Sequence, residues 1–253
     1  MPTTRVAPST LPRTTIPEEV DTLRIGTTEQ LTNLDSADAY LPHDWEVLGN
    51  IGRGLTSFTL GGTEVVPGIS EPFAISDDGR TYTFRLRDDV LFPDGTELTA
   101  SVYERHLQRM LGLAPIDGGG SSLGQPFVAS VEAVDDSTIA FRLHAASGFF
   151  SAVVASVPYH PSHPGLPTDE VTPLPPEPVY GVGAWTVMSY EPGERTVLEP
   201  HPLSLSDQPE VERVVIHYFA SESELLSALF EGVVDIAWPL ASPPSLDDLP
   251  AGI

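Results

Sequence analysis

The stretch at positions 76–100, SDDGRTYTFRLRDDVLFPDGTELTA, constrains the fold more than any other part of the chain. It opens on a turn, because Asp77, Asp78 and Gly79 combine side chains that bond their own backbone with a permissive glycine. TYTFRLR follows. There Tyr82, Phe84 and Leu86 alternate with Thr83, Arg85 and Arg87, so a strand buries one face and wets the other. PDGT at 93–96 is a second turn. Thr99 then caps a helix that carries Val102, Leu107, Met110 and Leu111 on overlapping apolar positions. Turn, half-buried strand, turn and capped helix thus follow one another in one unbroken run.

The remaining pattern extends this scheme. TLRIGT at 22–27 reads as a short strand, and 44–51 as a helix with Asp44 at its N-cap. Segments 57–60 and 64–66 flank Gly61-Gly62 as a hairpin. Strands are expected at 127–134 and 138–143, with Asp135-Asp136 turning between them. The apolar run at 148–159, GFFSAVVASVPY, reads as a buried helix. The proline-dense 158–178 suits a connector. Strands at 184–190, 195–198 and 211–219 precede a helix from Ser221 to Phe230, in which Ser221 and Glu224 form a capping box. A last strand covers 233–237. Residues 1–21 read as a flexible Pro/Thr leader without the apolar core of a secretory signal. No run approaches the roughly eighteen apolar residues of a membrane helix.

Charge then narrows the function. The chain has 36 acidic and 12 basic residues, a net charge of −24, and no cysteine. All basic residues are arginines. Such a field repels phosphate backbones and anionic lipid, so no nucleic-acid or membrane partner is expected. Disulfides, thiolate metal sites, cysteine nucleophiles and a cysteine-borne lipid anchor are excluded.

Catalytic signals are weak. His160 and His163 (HPSH) have a spacing that zinc ligands use, but a solvated proline-rich loop accounts for them better. DGGGSSLG at 117–124 lacks a P-loop ending, and GVG at 181–183 lacks a dinucleotide fingerprint. Neither GxSxG nor HExxH occurs. The acid pairs 77–78, 88–89 and 135–136 fall in turns, where aspartate serves local hydrogen bonding more often than acid–base chemistry. No catalytic residue, metal ligand or cofactor is therefore expected.

The 76–100 segment closely resembles the hallmark segment of family 5 extracellular solute-binding proteins, the dipeptide, oligopeptide and nickel receptors of ABC importers. Asp77-Asp78-Gly79, the 81–87 strand, Val90 with Phe92 and Asp94-Gly95, then Leu98-Thr99-Ala100 follow the family order. Leu34-Asp35 is similar to its LDP segment, and Asn50-Ile51 with Gly54-Leu55 to NIYEGL. Residues 67–73 resemble P-LAESW, 181–187 the GTGPY turn and strand, and 231–236 the GEVDI ending. Departures occur at Val102, where the family usually has an acid, and at Val182, Ala184 and Trp185, which replace Thr, Pro and Tyr.

The resemblance implies an α/β, periplasmic-binding-protein-like first lobe (type II, cluster C) with a β-rich insertion. Residues 22–45 and 158–238 would form the lobe, and 46–157 the insertion. Residues 239–253 would be a truncated tail leading to an absent second lobe. It implies a substrate-binding component of an ABC importer, monomeric and extracytoplasmic, which presents peptides or other small solutes to permease subunits. Contacts are implied at Thr28, Glu29, Gln30 and Leu31, and at Gly183, Ala184 and Trp185. Trp185 suits a core position equally well, and Glu29 plain exposure. Hinge closure would normally bury the ligand between two lobes, so one lobe alone should bind poorly. A ligand-sensing module without a transport role is the alternative; a hydrolase lacks any motif.

Overall fold

A computed structural model describes residues 21–113, 119, 122, 125–206 and 208–241. The leader up to residue 20, most of the glycine-rich loop and the tail from 242 lie outside the described residues.

The hallmark segment folds as its pattern requires. Strand β5 (Thr81–Arg85) buries Tyr82 and Phe84, and Leu86 beyond it is also buried. Asp78 Oδ1 accepts from Ser76 Oγ at 2.6 Å and from the Arg80 amide at 3.0 Å, so the first acid pair holds a turn. Helix α2 (Ala100–Gly112) starts after Thr99, whose side chain accepts from the Val102 amide. β5 joins β4 (Ala74–Ile75), β6 (Val128–Ala133) and β7 (Thr138–Leu143) in an antiparallel sheet of order β4-β5-β7-β6. α2 packs against β6 and β7, and a core of Phe84, Phe141, Phe150, Tyr103 and Leu107 fills the interface. A separate hairpin pairs β2 (Thr56–Phe58) with β3 (Val65–Pro67).

The second body is a five-stranded sheet. β1 (Thr22–Thr27) lies between β10 (Arg213–Tyr218) and β11 (Ile236–Ala237), parallel to both. β9 (Arg195–Pro200) and β8 (Trp185–Glu191) continue antiparallel, giving the order β11-β1-β10-β9-β8. One face receives α1 (Pro42–Ile51) through Val47, Leu48 and Ile51. The other receives α4 (Glu222–Phe230), capped by Ser221 as its sequence predicts; a Cβ at Gly26 would meet Leu225 there.

Three local expectations are corrected. Asp44 is not the N-cap of α1: the helix starts at Pro42 after an uncapped Leu41. Asp44 is instead buried and accepts from the Thr32 amide at 2.8 Å and its hydroxyl at 2.7 Å. Proline suits a first helical position, and a tertiary bond claims the carboxylate. The single helix expected over 148–159 is split into α3 (Phe150–Val153) and a 3-10 turn (Val157–Tyr159). The break falls at Ser156, whose backbone is extended, and Pro158 has no amide hydrogen with which to continue the helical ladder. His160 is not solvated but 6% exposed; it lies where a Cβ on Gly52 would collide with its ring. His163 does stay near the surface, with Nε2 3.1 Å from Asp94 Oδ2.

The boundary expected after residue 45 falls inside α1, which packs on the five-stranded sheet. Across that boundary a buried ion pair ties the two bodies together. The Asp35 carboxylate receives Arg109 Nη1 at 2.8 Å and Nη2 at 2.5 Å, together with the amides of Ala37 and Thr172. Arg109 also donates to the Pro167 and Glu170 carbonyls, so one guanidinium on α2 fastens the proline-dense connector.

Candidate ligand-binding site

β1, β10 and β11 run parallel, so Thr27, Tyr218 and Ala237 end at one rim of the sheet. Carboxyl ends of parallel strands are where open α/β sheets hold ligands, because the chain leaves the ladder there with unpaired backbone groups. Three segments meet at this rim. Residues 28–31 follow β1, and the Glu29 amide is held by Thr27 Oγ1 at 3.0 Å. The tip of the β8–β9 hairpin lies alongside, since the Tyr218 amide donates to the Glu194 carbonyl at 3.0 Å. Trp238 follows β11; its amide donates to the Gly26 carbonyl at 2.9 Å while its side chain stays 60% exposed.

Below the rim, between the sheet and α1, runs an apolar groove of about 490 Å³. Leu23, Ile25, Val214, Ile216 and Leu198 form its floor, α1 presents Val47, and Trp185 and Trp238 are further wall residues. Its polar groups are Thr27, His43, Glu46 and Asn50. His43 is buried, with Nδ1 3.3 Å from Glu46 Oε2 and Nε2 3.4 Å from the Tyr218 hydroxyl. That hydroxyl lies 2.7 Å from Thr196 Oγ1, and burial pushes its pKa up to about 12. The chain Glu46–His43–Tyr218–Thr196 thus fixes one wall of the groove.

The structure divides the expected contacts. Thr28, Glu29 and Gln30 reach the rim, whereas Leu31 is buried in the core beneath α1. Gly183, Ala184 and Trp185 lie at the opposite end of the sheet: Trp185 pairs with Pro200, while Tyr190 at the far end of β8 pairs with Thr196. The Gly183 and Ala184 amides are already used by the Ile51 and Asn50 carbonyls, at 2.8 and 3.1 Å. The GVG turn therefore serves close packing against the end of α1. A Cβ on Gly181 would stand 2.1 Å from the Ile51 carbonyl oxygen, and backbone cannot yield as a side-chain tip does. Gly181→Ala should lose about 1–3 kcal/mol in urea unfolding, as overpacked sites do. Of this group only Trp185, half-buried in the groove, faces the candidate site.

Sequence reasoning missed His43, Glu46, Asn50 and Trp238. A signal existed for the first three, whose i, i+3, i+7 spacing places them on one helical face beside Val47. For Trp238 the signal was a large aromatic directly after a short strand. Among the described residues no group of three or more His, Asp or Glu side chains is placed to hold a metal ion.

A parallel-strand rim with an apolar groove beneath it, on a sheet linked to a β-rich unit, defines a lobe of the solute-binding class. The chain belongs to the bacterial extracellular solute-binding proteins, family 5: the model of that family's middle part matches residues 64–251. A probable D,D-dipeptide-binding periplasmic protein of Escherichia coli K12 is 25% identical over 225 residues, covering 86% of this chain and 43% of that protein. The murein tripeptide binding protein of E. coli superposes with a TM-score of 0.75 at 23% identity, over 87% of this chain and 46% of that one. NikZ of Campylobacter jejuni, in complex with Ni(L-His), gives 0.74 at 22% identity, over 87% and 43%. The fold is thus that of the first portion of these binding proteins, and the chain spans less than half of their length.

Proposed function

We propose that this lobe binds a short peptide along the rim formed by residues 28–30 and Trp238, and serves peptide uptake through an ABC importer outside the cytoplasm. The observation that carries this reading is the meeting of these two segments at the carboxyl ends of β1 and β11, directly above the apolar groove. An extended peptide presents regularly spaced donors and acceptors, which exposed backbone beyond a strand end can match whatever the side chains are. The groove is within the size range of small-ligand sites, and two tryptophans supply flat apolar area for a residue of the peptide. Relatives described as a probable D,D-dipeptide-binding periplasmic protein and a peptide transport periplasmic protein support the peptide and the extracytoplasmic setting.

Calorimetric titration with a pool of di- and tripeptides tests it. Weak, saturable binding is expected, and Trp238→Ala should weaken it about tenfold, the equivalent of roughly 1.4 kcal/mol. Binding that is indifferent to Trp238→Ala would place the ligand elsewhere.

A further inference from the structure

We propose that Arg53, Arg87 and the hydroxyls of Ser204 and Ser206 form a site for a small doubly charged oxyanion of the phosphate type. Arg53 follows the end of α1 that packs on the 181–184 turn, so the site lies away from the peptide rim. The proposal stands independently of the peptide reading.

Backbone pairing brings the two arginines together. The Ile69 amide donates to the Gly54 carbonyl and the Arg87 amide to the Ile69 carbonyl, both at 3.0 Å, so residues 54, 69 and 87 lie side by side. His201 Nε2 donates to the Leu91 carbonyl at 3.0 Å, which draws in the loop at 201–206. On that loop Ser206 Oγ receives Arg53 Nη1 at 2.9 Å, and Ser204 Oγ receives the Ser206 amide at 3.0 Å. Among the described residues neither hydroxyl has an acceptor for its own hydrogen, so both can donate to a ligand.

Arg53 lacks what most arginines of the chain have. Among the described residues Arg53, Arg80 and Arg105 pair with no carboxylate. Arg80 is exposed to water, and Arg105 donates to the Pro164 and Leu166 carbonyls. Arg53 is half-buried with a neutral hydroxyl as its partner. The Asn50 and Ile51 carbonyls at the end of α1 are taken by the Ala184 and Gly183 amides. Burial and the nearby Arg87 hold the Arg53 pKa below its usual value, as expected of a guanidinium without a counterion. Arg87 holds Asp89 only through two 3.3 Å contacts and is 44% exposed, so it is free to turn to a ligand.

A guanidinium offers an oxyanion two parallel donors, and half-burial screens the attraction less than open water does. Arg53 also stands where the NIYEGL segment has its glutamate, so the charge departs from the family pattern. The net charge of −24 opposes any anion, which limits the affinity.

The test follows inorganic phosphate by phosphorus NMR line broadening, with sodium chloride holding the ionic strength constant. Saturable binding with a dissociation constant on the order of 1 mM is expected, weakening as salt is raised. Arg53→Gln should weaken it about tenfold and Arg87→Gln about threefold, whereas Arg80→Gln should leave it unchanged. Arg87→Gln alters a half-exposed side chain, so the test survives if Arg53→Gln fails to fold. Broadening that does not saturate, or that neither Arg53→Gln nor Arg87→Gln alters, overturns the proposal. Asp207, next to Ser206 in sequence, lies outside the described residues. Phosphate binding that appears only in Asp207→Asn would assign Arg53 to the chain's own carboxylate and overturn the proposal too.

Discussion

Acidification from neutral pH towards pH 4 is expected to remove about 3 kcal/mol of stability through each of two buried histidines, by the linkage between pKa and folding. His106 lies wholly inside: Nε2 donates to the Pro158 carbonyl at 2.9 Å and Nδ1 accepts from the Ser162 amide at 3.4 Å. His160 donates from Nε2 to the Ala155 carbonyl at 3.2 Å, and its Nδ1 has no hydrogen-bond partner among the described residues. Burial disfavours the charged ring and lowers both pKa values from 6.5 to about 4. Below pH 6.5 the unfolded chain takes up protons that the folded chain refuses. The stabilisation is therefore complete above 6.5 and drains away as pH falls towards 4. Hydrogen bonds from Ser76 to Asp78, from the Thr96 amide to Asp94 and from the Ser137 amide to Asp135 hold these turn carboxylates below their usual 3.8. Their loss thus falls below this window. Relief of repulsion among the many carboxylates acts in the opposite direction. The diagnostic quantity is therefore a difference: the urea-unfolding stability of His106→Gln should fall with acid by about 3 kcal/mol less than that of the unaltered protein. Parallel pH profiles would contradict the assignment.

Arg109→Ala should lose about 3–5 kcal/mol, the usual result of stranding one member of a buried ion pair. Its partner Asp35 is 0% exposed and, among the described residues, its carboxylate would keep only the Ala37 and Thr172 amides as donors. The Pro167 and Glu170 carbonyls would lose their donor at the same time. The damage should therefore reach the connector, and limited proteolysis should open first near residues 167–172. The double variant Asp35→Leu/Arg109→Met should recover most of the loss, because removing both charges also removes their desolvation cost. A double variant as unstable as Arg109→Ala would mean that the carbonyl contacts, rather than the charge pair, hold the two bodies together.

Local patterns were read well and long-range ones poorly, for identifiable reasons. β5 and α2 follow from alternation and a threonine cap, both complete within a few residues. The hairpin across Gly61-Gly62 and the Ser221 cap were equally local. Asp44 misled because its carboxylate serves Thr32, twelve positions away, and such a bond leaves no local mark. The family resemblance points to residues 28–30, which follow β1, and to Gly183 and Ala184, whose amides serve the end of α1. The groove as a whole was not legible, although the helical spacing of His43, Glu46 and Asn50 marked one of its sides. It unites residues from α1, β1, β8, β9, β10 and the start of the chain beyond β11, which only the strand order β11-β1-β10-β9-β8 brings side by side.

The most direct test of the central claim is a heteronuclear NMR titration of the labelled chain with a short apolar peptide amide. The three tryptophan indoles of the chain serve as reporters together with the backbone amides. If the carboxyl-end rim is the binding site, the shifts should concentrate on the Trp238 indole, the amides of residues 28–30 and the α1 face around Glu46. The Gly183 and Ala184 amides, already bonded to α1, should stay in place. Shifts confined to the 181–184 turn or to the four-stranded sheet, with a silent Trp238, would contradict the account.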